Sequence, residues 1–349
     1  MQVNLLLSIS NLNYRDEDIT FMRFTLSSNR DFIDKEILSE GFKKGIGLFS
    51  VSDYKKHPYF FSNVDYHSSE KNYTDYDGKV ITDNLEIYQT VFQTLIRFLW
   101  LIKDNCCSVN TFHAFLPESN HAIVRNAGYL YCNCRGTYHE PVEFSKDEIV
   151  EAINIYTKTA HLFYHNNLKT SRSNDPQPDL ILVRSITPHD FKKVTRIERA
   201  FNFLELARST NQLPQKIAFY MCIYETLFYG TNSGEIIHQI AERVALYVTK
   251  TRFFRRGIYK LIKDAYKIRS TYFHGNSFKN NKTDLNTLSS QIDNLTRDIL
   301  RKVILEDAAI FCQEDDLLEM SFMDLLFEDT REPDGQTIES GIKHQRFNH

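Results

Sequence analysis

From residue 190 to about residue 311, apolar residues recur at helical spacing almost without a break. That periodicity constrains the fold more than any other feature of the 349-residue chain. The segment FKKVTRIERAFNFLELARS predicts one helix. After Gln212-Leu213-Pro214 a second begins, with Ile217, Met221, Tyr224, Leu227 and Phe228 on one stripe and Gly230 at its end. A third is predicted over 235–249. A fourth, over 256–274, turns Ile258, Leu261, Ile262, Ala265, Ile268 and Tyr272 inward, and a fifth runs from 283 to about 311. Long helices joined by short loops predict an antiparallel bundle.

The preceding residues carry a different pattern. Asp83-Asn84 reads as the cap of a largely buried helix reaching about residue 105, and Ser145 with Glu148 forms a capping box for another. Between them, 107–116 and 121–136 lean towards strand, parted by the turn composition Pro117-Glu118-Ser119-Asn120. Residues before 80 are rich in Tyr, Ser, Asp and Asn and predict strands and long loops. The polar run 171–178 reads as a linker, and LILVRSI (180–186) as a short strand. A chain of this length is too long for one compact core. The expected architecture is therefore multidomain α+β: a mixed α+β domain over 1–189, an all-α domain over 190–312, and a tail over 313–349. An acidic run leads into that tail, with nine acidic residues and no Lys or Arg between Glu306 and Asp329. The tail then becomes polar, which predicts partial disorder.

Composition narrows the function classes. The net charge of −3 carries no global nucleic-acid signature, so any basic site must be local. The most apolar helical stretch, 91–102, contains Arg97 and is too short to span a bilayer. MQVNLLLSIS lacks the basic start and long apolar run of a signal peptide. Six Cys fit reduced thiols. A cytoplasmic protein without membrane contact is expected.

A local basic site does exist. Between Lys250 and Arg269 there are eight basic residues against a single acid, Asp264, with Phe253, Phe254, Tyr259 and Tyr266 interleaved and Tyr272 just beyond. Cations for the backbone and rings for the bases are the composition of a single-stranded or loop RNA site. Arg255, Arg256, Lys263, Lys267, Tyr272 and Asn276 are the expected RNA contacts. The stretch closes with RSTYFHGN (269–276). On an ideal helix Arg269 and His274 lie about 140° apart and about 7.5 Å along the axis, so they meet only if the helix loosens or a ligand straddles both. Gly275 suits the left-handed residue that ends a helix. The helix terminus favours a charged His274 and the neighbouring Arg269 opposes it, a balance suited to proton transfer. The guanidinium of Arg269 matches a phosphate or phosphorane. An Arg and a His with no carboxylate cluster point to RNA cleavage without a metal or other cofactor, by attack of the 2′-hydroxyl on the adjacent phosphate.

Three segments taken together, IYETLF (223–228), ERVALYV (242–248) and IYKLIKDAYKIRSTYFHGN (258–276), resemble the Apea-like branch of the HEPN superfamily. The likeness covers about 214–276, or about 190–312 with the framing helices. It implies a HEPN helical bundle that pairs as a homodimer and brings two Arg/His motifs into one cleft. It also implies a metal-independent endoribonuclease, used in antiphage defence or abortive infection, that cuts cellular RNA such as tRNA to a 2′,3′-cyclic phosphate. By the same likeness His274 is the general base or acid, and Arg269 stabilises the transition state. Ser270 fills the polar position after the Arg, where many relatives carry Asn, Asp or His. Glu225 is the acidic residue of the facing helix, placed to orient Arg269 or His274. Glu242 and Arg243 are expected to form structural ion pairs, with the border of the cleft as the alternative. The N-terminal domain is expected to sense a phage-derived trigger or to restrain the nuclease. The alternatives are a non-catalytic RNA- or nucleotide-binding scaffold and a toxin of a toxin–antitoxin pair, neutralised by nucleotidyl transfer to Tyr272.

Other constellations are weaker. Cys106, Cys107, Cys132, Cys134 and His139 offer zinc ligands, but C-x-C is poor spacing for a knuckle, and buried thiols are the plainer expectation. His161 and His165 sit at i,i+4 without the Glu of a metalloprotease helix. GTNSGE (230–235) lacks the Lys-Ser/Thr of a phosphate loop. The acidic run after residue 306 offers an RNA mimic for the basic cleft, or a solvated face.

Overall fold

The computed structural model describes residues 2–65, 75–125, 129–163, 194–230, 236–275 and 284–327. The linker at 171–178, the LILVRSI segment, His165, Asn276, the last residues of GTNSGE and the polar tail from 328 lie outside these. So does the expected division at 189/190.

The first half is built on a six-stranded antiparallel sheet. Its strands are β1 (Gln2–Ser10), β3 (Ile19–Phe21), β4 (Phe24–Ser27), β5 (Tyr59–Asp65), β6 (Ser108–Leu116) and β7 (His121–Arg125), in the order β3-β4-β5-β1-β6-β7. A two-residue parallel pair, β2 (Leu12–Asn13) with β8 (Val142–Glu143), lies beside it. Side chains alternate across a strand, so β1 feeds two cores. Val3, Leu5, Leu7 and Ile9 enter the main core, and Leu6 enters a second one with Ile33, Phe42, Tyr54 and Phe115. That second core is closed by α1 (Arg30–Phe32), a wide-turn continuation over Ile33–Ile37, and α2 (Glu40–Lys56). The sequence reading missed α2, because its glycines lower helix propensity. The packing explains Gly45: a Cβ there would sit 2.8 Å from Cβ of Ala122 on β7.

The opposite face of the sheet is covered by α3 (Asp75–Ile102). Phe92 of α3 meets Phe24 edge-on at 4.9 Å. This helix begins at Asp75, so Asp83-Asn84 is not its cap. With no Pro in 75–84, the helix propagates backwards at one hydrogen bond per residue. The strand expected over 121–136 ends at Arg125. Further on, Asn133 Oδ1 accepts from the amides of Arg135 and Thr137, both at 3.0 Å, and such local bonds compete with a ladder. Then follow α4 (Lys146–Thr159), with the expected Ser145/Glu148 capping box, and a short 3-10 turn over Ala160–Leu162.

The helical half comprises α5 (Arg196–Ser209), α6 (Leu213–Phe228), α7 (Ile236–Val248), α8 (Arg252–Phe273), α9 (Leu285–Leu305), α10 (Ala308–Phe311) and α11 (Asp315–Phe327). The helix expected from residue 191 starts at Arg196, because Thr195 and Glu198 form a capping box. The fifth expected helix is two. The chain breaks at Glu306-Asp307, where Asp307 accepts a 2.7 Å bond from Tyr247 OH. Part of the expected acidic tail folds as α11, which buries Leu318 and Phe322. Its acids pair inwards: Asp315 with Arg196, and Glu319 with Arg243 at 2.5 Å. Arg243 thus makes the structural ion pair expected of it, and these two acids are committed away from α8. No described helix is long and apolar enough to cross a membrane.

Buried residues of both halves join one continuous core. The shared element is α3. Trp100 Nε1 donates to Asp293 Oδ1 of α9 at 3.2 Å, and its carbonyl accepts from Arg297 Nε at 2.8 Å. The fold is mixed: an antiparallel sheet with helices, then a helical region.

Candidate active site

The site residues converge on α8. Its core side is fixed by the buried Ile262, Ala265 and Ile268. Counting 100° per residue, Arg269 falls about 20° from Ile262, at the edge of the core side, and from it a strip about 160° wide runs round to solvent through Tyr266, Ser270, Lys263, His274 and Lys267, with Arg255 and Arg256 further up. Asp264, the one acid of the stretch, falls outside it. The candidate cations therefore lie along one strip of one helix, with Arg269 at its core-side margin.

Arg269 lies at the margin where α8 meets α6. Its Nη2 donates to Glu225 Oε2 at 3.0 Å, with both side chains about a quarter exposed. Its guanidinium stands 5.4 Å from the Tyr266 ring and 5.1 Å from the Phe273 ring. Nε is buried and has no hydrogen-bond partner among the described residues. Rings fix the plane, a carboxylate holds one nitrogen, and donor capacity remains for a phosphate oxygen. Burial pushes the Glu225 carboxyl above its ordinary value, and Arg269 opposes that shift. One turn earlier Cys222 is pushed up to about 11, chiefly by burial and then by Glu225. It is a neutral thiol near neutral pH.

His274 caps α8. Its amide donates to the Ser270 carbonyl at 3.0 Å, and Gly275 takes φ 67, the left-handed conformation expected of it. The helix holds to Phe273, so His274 remains well round the helix from Arg269. Its exposed ring faces solvent at the helix end. Ser270 sits between them, half-buried.

The expected RNA contacts divide. Arg256 and Lys267 are exposed, Lys267 beside Asp264 at 3.1 Å. Lys263 leans over the Tyr259 ring at 5.5 Å. Arg255 donates through Nε to the Thr249 carbonyl at 2.8 Å, so part of its capacity closes the end of α7. Tyr272 falls on the core side of α8 with Ala265 and Ile268, half-buried. An open cleft of about 300 Å³ between α8 and α9, lined by Lys260, Asp264, Asp284, Thr287 and Gln291 among others, borders the strip away from Arg269.

Elsewhere, no group of three or more His, Cys, Asp or Glu among the described residues is placed to hold a metal ion. The four cysteines offered as zinc ligands are buried and hydrogen-bonded elsewhere: Cys132 Sγ donates to the Thr210 carbonyl at 2.8 Å, Cys106 Sγ to that of Glu140 at 3.2 Å, and Cys134 Sγ meets Ser290 Oγ at 3.2 Å. Burial pushes Cys107 and Cys134 up to about 12. The sequence reading did not single out His238 of α7, whose Nδ1 hydrogen-bonds the Tyr259 hydroxyl. No helical repeat links these two positions, so only their packing reveals the contact.

No family model, curated protein or solved structure matches this chain.

Proposed function

We propose that this chain is a metal-independent endoribonuclease of the HEPN type that works as a homodimer and acts on cellular RNA, with tRNA as a candidate substrate. The observation carrying the reading is Arg269: half-buried, oriented by Glu225 from the facing helix, and set in a basic, aromatic strip that ends at His274. In this mechanism a neutral His274 takes the proton of a ribose 2′-hydroxyl. The oxygen attacks the adjacent phosphorus while the bond to the 5′ oxygen breaks, and that oxygen receives a proton from His274 of the second copy. The products are a 2′,3′-cyclic phosphate and a 5′-hydroxyl. Arg269 offers its donors to the phosphorane oxygens, where charge builds up. Pairing two copies overcomes the 140° between Arg269 and His274, because each Arg then faces the other copy's His. A trigger-dependent role in antiphage defence, in the cytoplasm, follows from the same reading.

A second reading is favoured by one observation: within a single copy Arg269 is already tied to Glu225, and His274 follows about 140° round the helix from it. The same face would then bind RNA without cutting it.

The test is purified protein incubated with total RNA in excess EDTA, beside Arg269→Ala and His274→Ala, with sequencing of the new ends. Discrete ends that survive EDTA and vanish in both variants support the nuclease. Cleavage kept by both variants refutes the assignment. RNA binding without cleavage, including in cells under phage challenge, supports the second reading.

A further inference from the structure

We propose that Tyr259, held by His238, is a base-stacking subsite for single-stranded RNA flanking the scissile phosphate; this rests on the ribonuclease reading. His238 of α7 and Tyr259 of α8 meet at the outer seam of the two helices. His238 Nδ1 is hydrogen-bonded to the Tyr259 hydroxyl, and their rings lie 6.0 Å apart at 35°. Below them the seam is closed by buried apolar residues, among them Ile240, Val244, Ile262 and Ala265. The polar contact is therefore an addition to a seam that apolar packing already holds, and His238 remains exposed.

Its position gives it a use. Tyr259, Lys263, Tyr266 and Ser270 follow at i, i+4, i+7 and i+11, along one line of α8 that leads to the Arg269/His274 end. Ten residues of helix separate Tyr259 from Arg269, about 15 Å, which a short stretch of extended RNA spans. The bound hydroxyl fixes the ring before any ligand arrives, which lowers the entropy cost of stacking. The Lys263 ammonium lies over the ring, 5.5 Å from its centroid; a stacking base takes that place, and the displaced ammonium pairs with the adjoining phosphate. Stacking on an aromatic face tolerates any base, so the subsite selects for an unpaired strand and not for a sequence. A duplex, whose bases are stacked on each other, gains nothing there.

The experiment measures binding of the full chain to 2′-O-methylated oligouridine, which cannot be cut, as a trinucleotide and as a decanucleotide. Wild type is expected to bind the longer strand more tightly. Tyr259→Ala should weaken the decanucleotide about tenfold or more and largely erase that length dependence. Tyr259→Phe and His238→Ala, which keep the ring and lose only the bond that fixes it, should each weaken binding a few-fold, well short of Tyr259→Ala. If Tyr259→Ala binds the decanucleotide as wild type does while Arg269→Ala does not, the subsite is wrong and the ribonuclease reading stands. If wild type binds neither strand, the reading itself fails and the subsite with it. Equal losses for Tyr259→Ala and Tyr259→Phe, with a lowered melting temperature in both, would make the pair a structural clamp and overturn the proposal.

Discussion

Arg269 of α8 and Glu225 of α6, 44 positions apart, are joined by a 3.0 Å hydrogen bond that fixes the guanidinium at the margin of the basic strip. The pair is partly exposed, so its worth to stability is modest. Its consequence is orientation: Glu225 holds one nitrogen while the guanidinium carbon stands over the rings of Tyr266 and Phe273.

Arg269→Lys keeps the charge and loses the planar fork. Cleavage should fall by about 100-fold or more, close to the loss in Arg269→Ala. Glu225→Gln, which still accepts a hydrogen bond, should lose less than about tenfold. Initial rates on one labelled RNA separate the two. Near-wild-type activity in Arg269→Lys would mean that only charge matters at this position.

The strip should set the salt dependence of RNA binding. Arg256→Ala and Lys267→Ala should each lower the slope of log affinity against log salt by about 0.7, the single-strand value per phosphate contact. Titrations across several salt concentrations measure it. An unchanged slope in both would place the RNA off this face.

His113 should give stability a pH dependence of known sign. It is buried on β6, its Nδ1 hydrogen-bonded to Tyr54 OH at 2.6 Å, and burial depresses it from 6.5 to about 4. The unfolded chain then binds the extra proton between those values. Stability should be full above about pH 6.5 and fall as pH drops through 4, by about 3 kcal/mol at most. Urea midpoints for wild type and His113→Gln between pH 7 and 4 test this. The wild-type curve should fall more steeply, and parallel curves would refute the assignment.

The docking of α11 is a packing claim. Phe322 lies in the core against Phe228 and Phe311, with the Arg243 guanidinium 4.7 Å from its ring. Phe322→Ala should cost about 3–5 kcal/mol, read as a lower urea midpoint at constant slope. A solvated acidic tail would show no change.

Local features were legible in the sequence. The helices of the second half follow from spacing, the Ser145/Glu148 box was read directly, and Gly275 adopts the predicted left-handed turn. Each depends on residues within one or two turns, where backbone geometry decides which side chains meet. The Thr195/Glu198 box carries the same signal, and reading it would have corrected the start of α5. The strip on α8 is legible in the same way, because one helix places all its members.

Partner choice was not legible from periodicity. Nothing local to Trp100 announces Asp293, 193 residues away, nor does anything near Tyr259 announce His238. The acidity of α11 suggested a solvated tail until Arg196 and Arg243 were placed beside it. Spacing tells which side of a helix is apolar. It does not tell what will cover that side, because long-range contacts depend on how the whole chain closes its core. The sequence by itself determined most helices of the second half and the strip that carries the cations. The tertiary structure decided which carboxylate holds Arg269, which acids turn away from the strip, and which helix brings His238 to it.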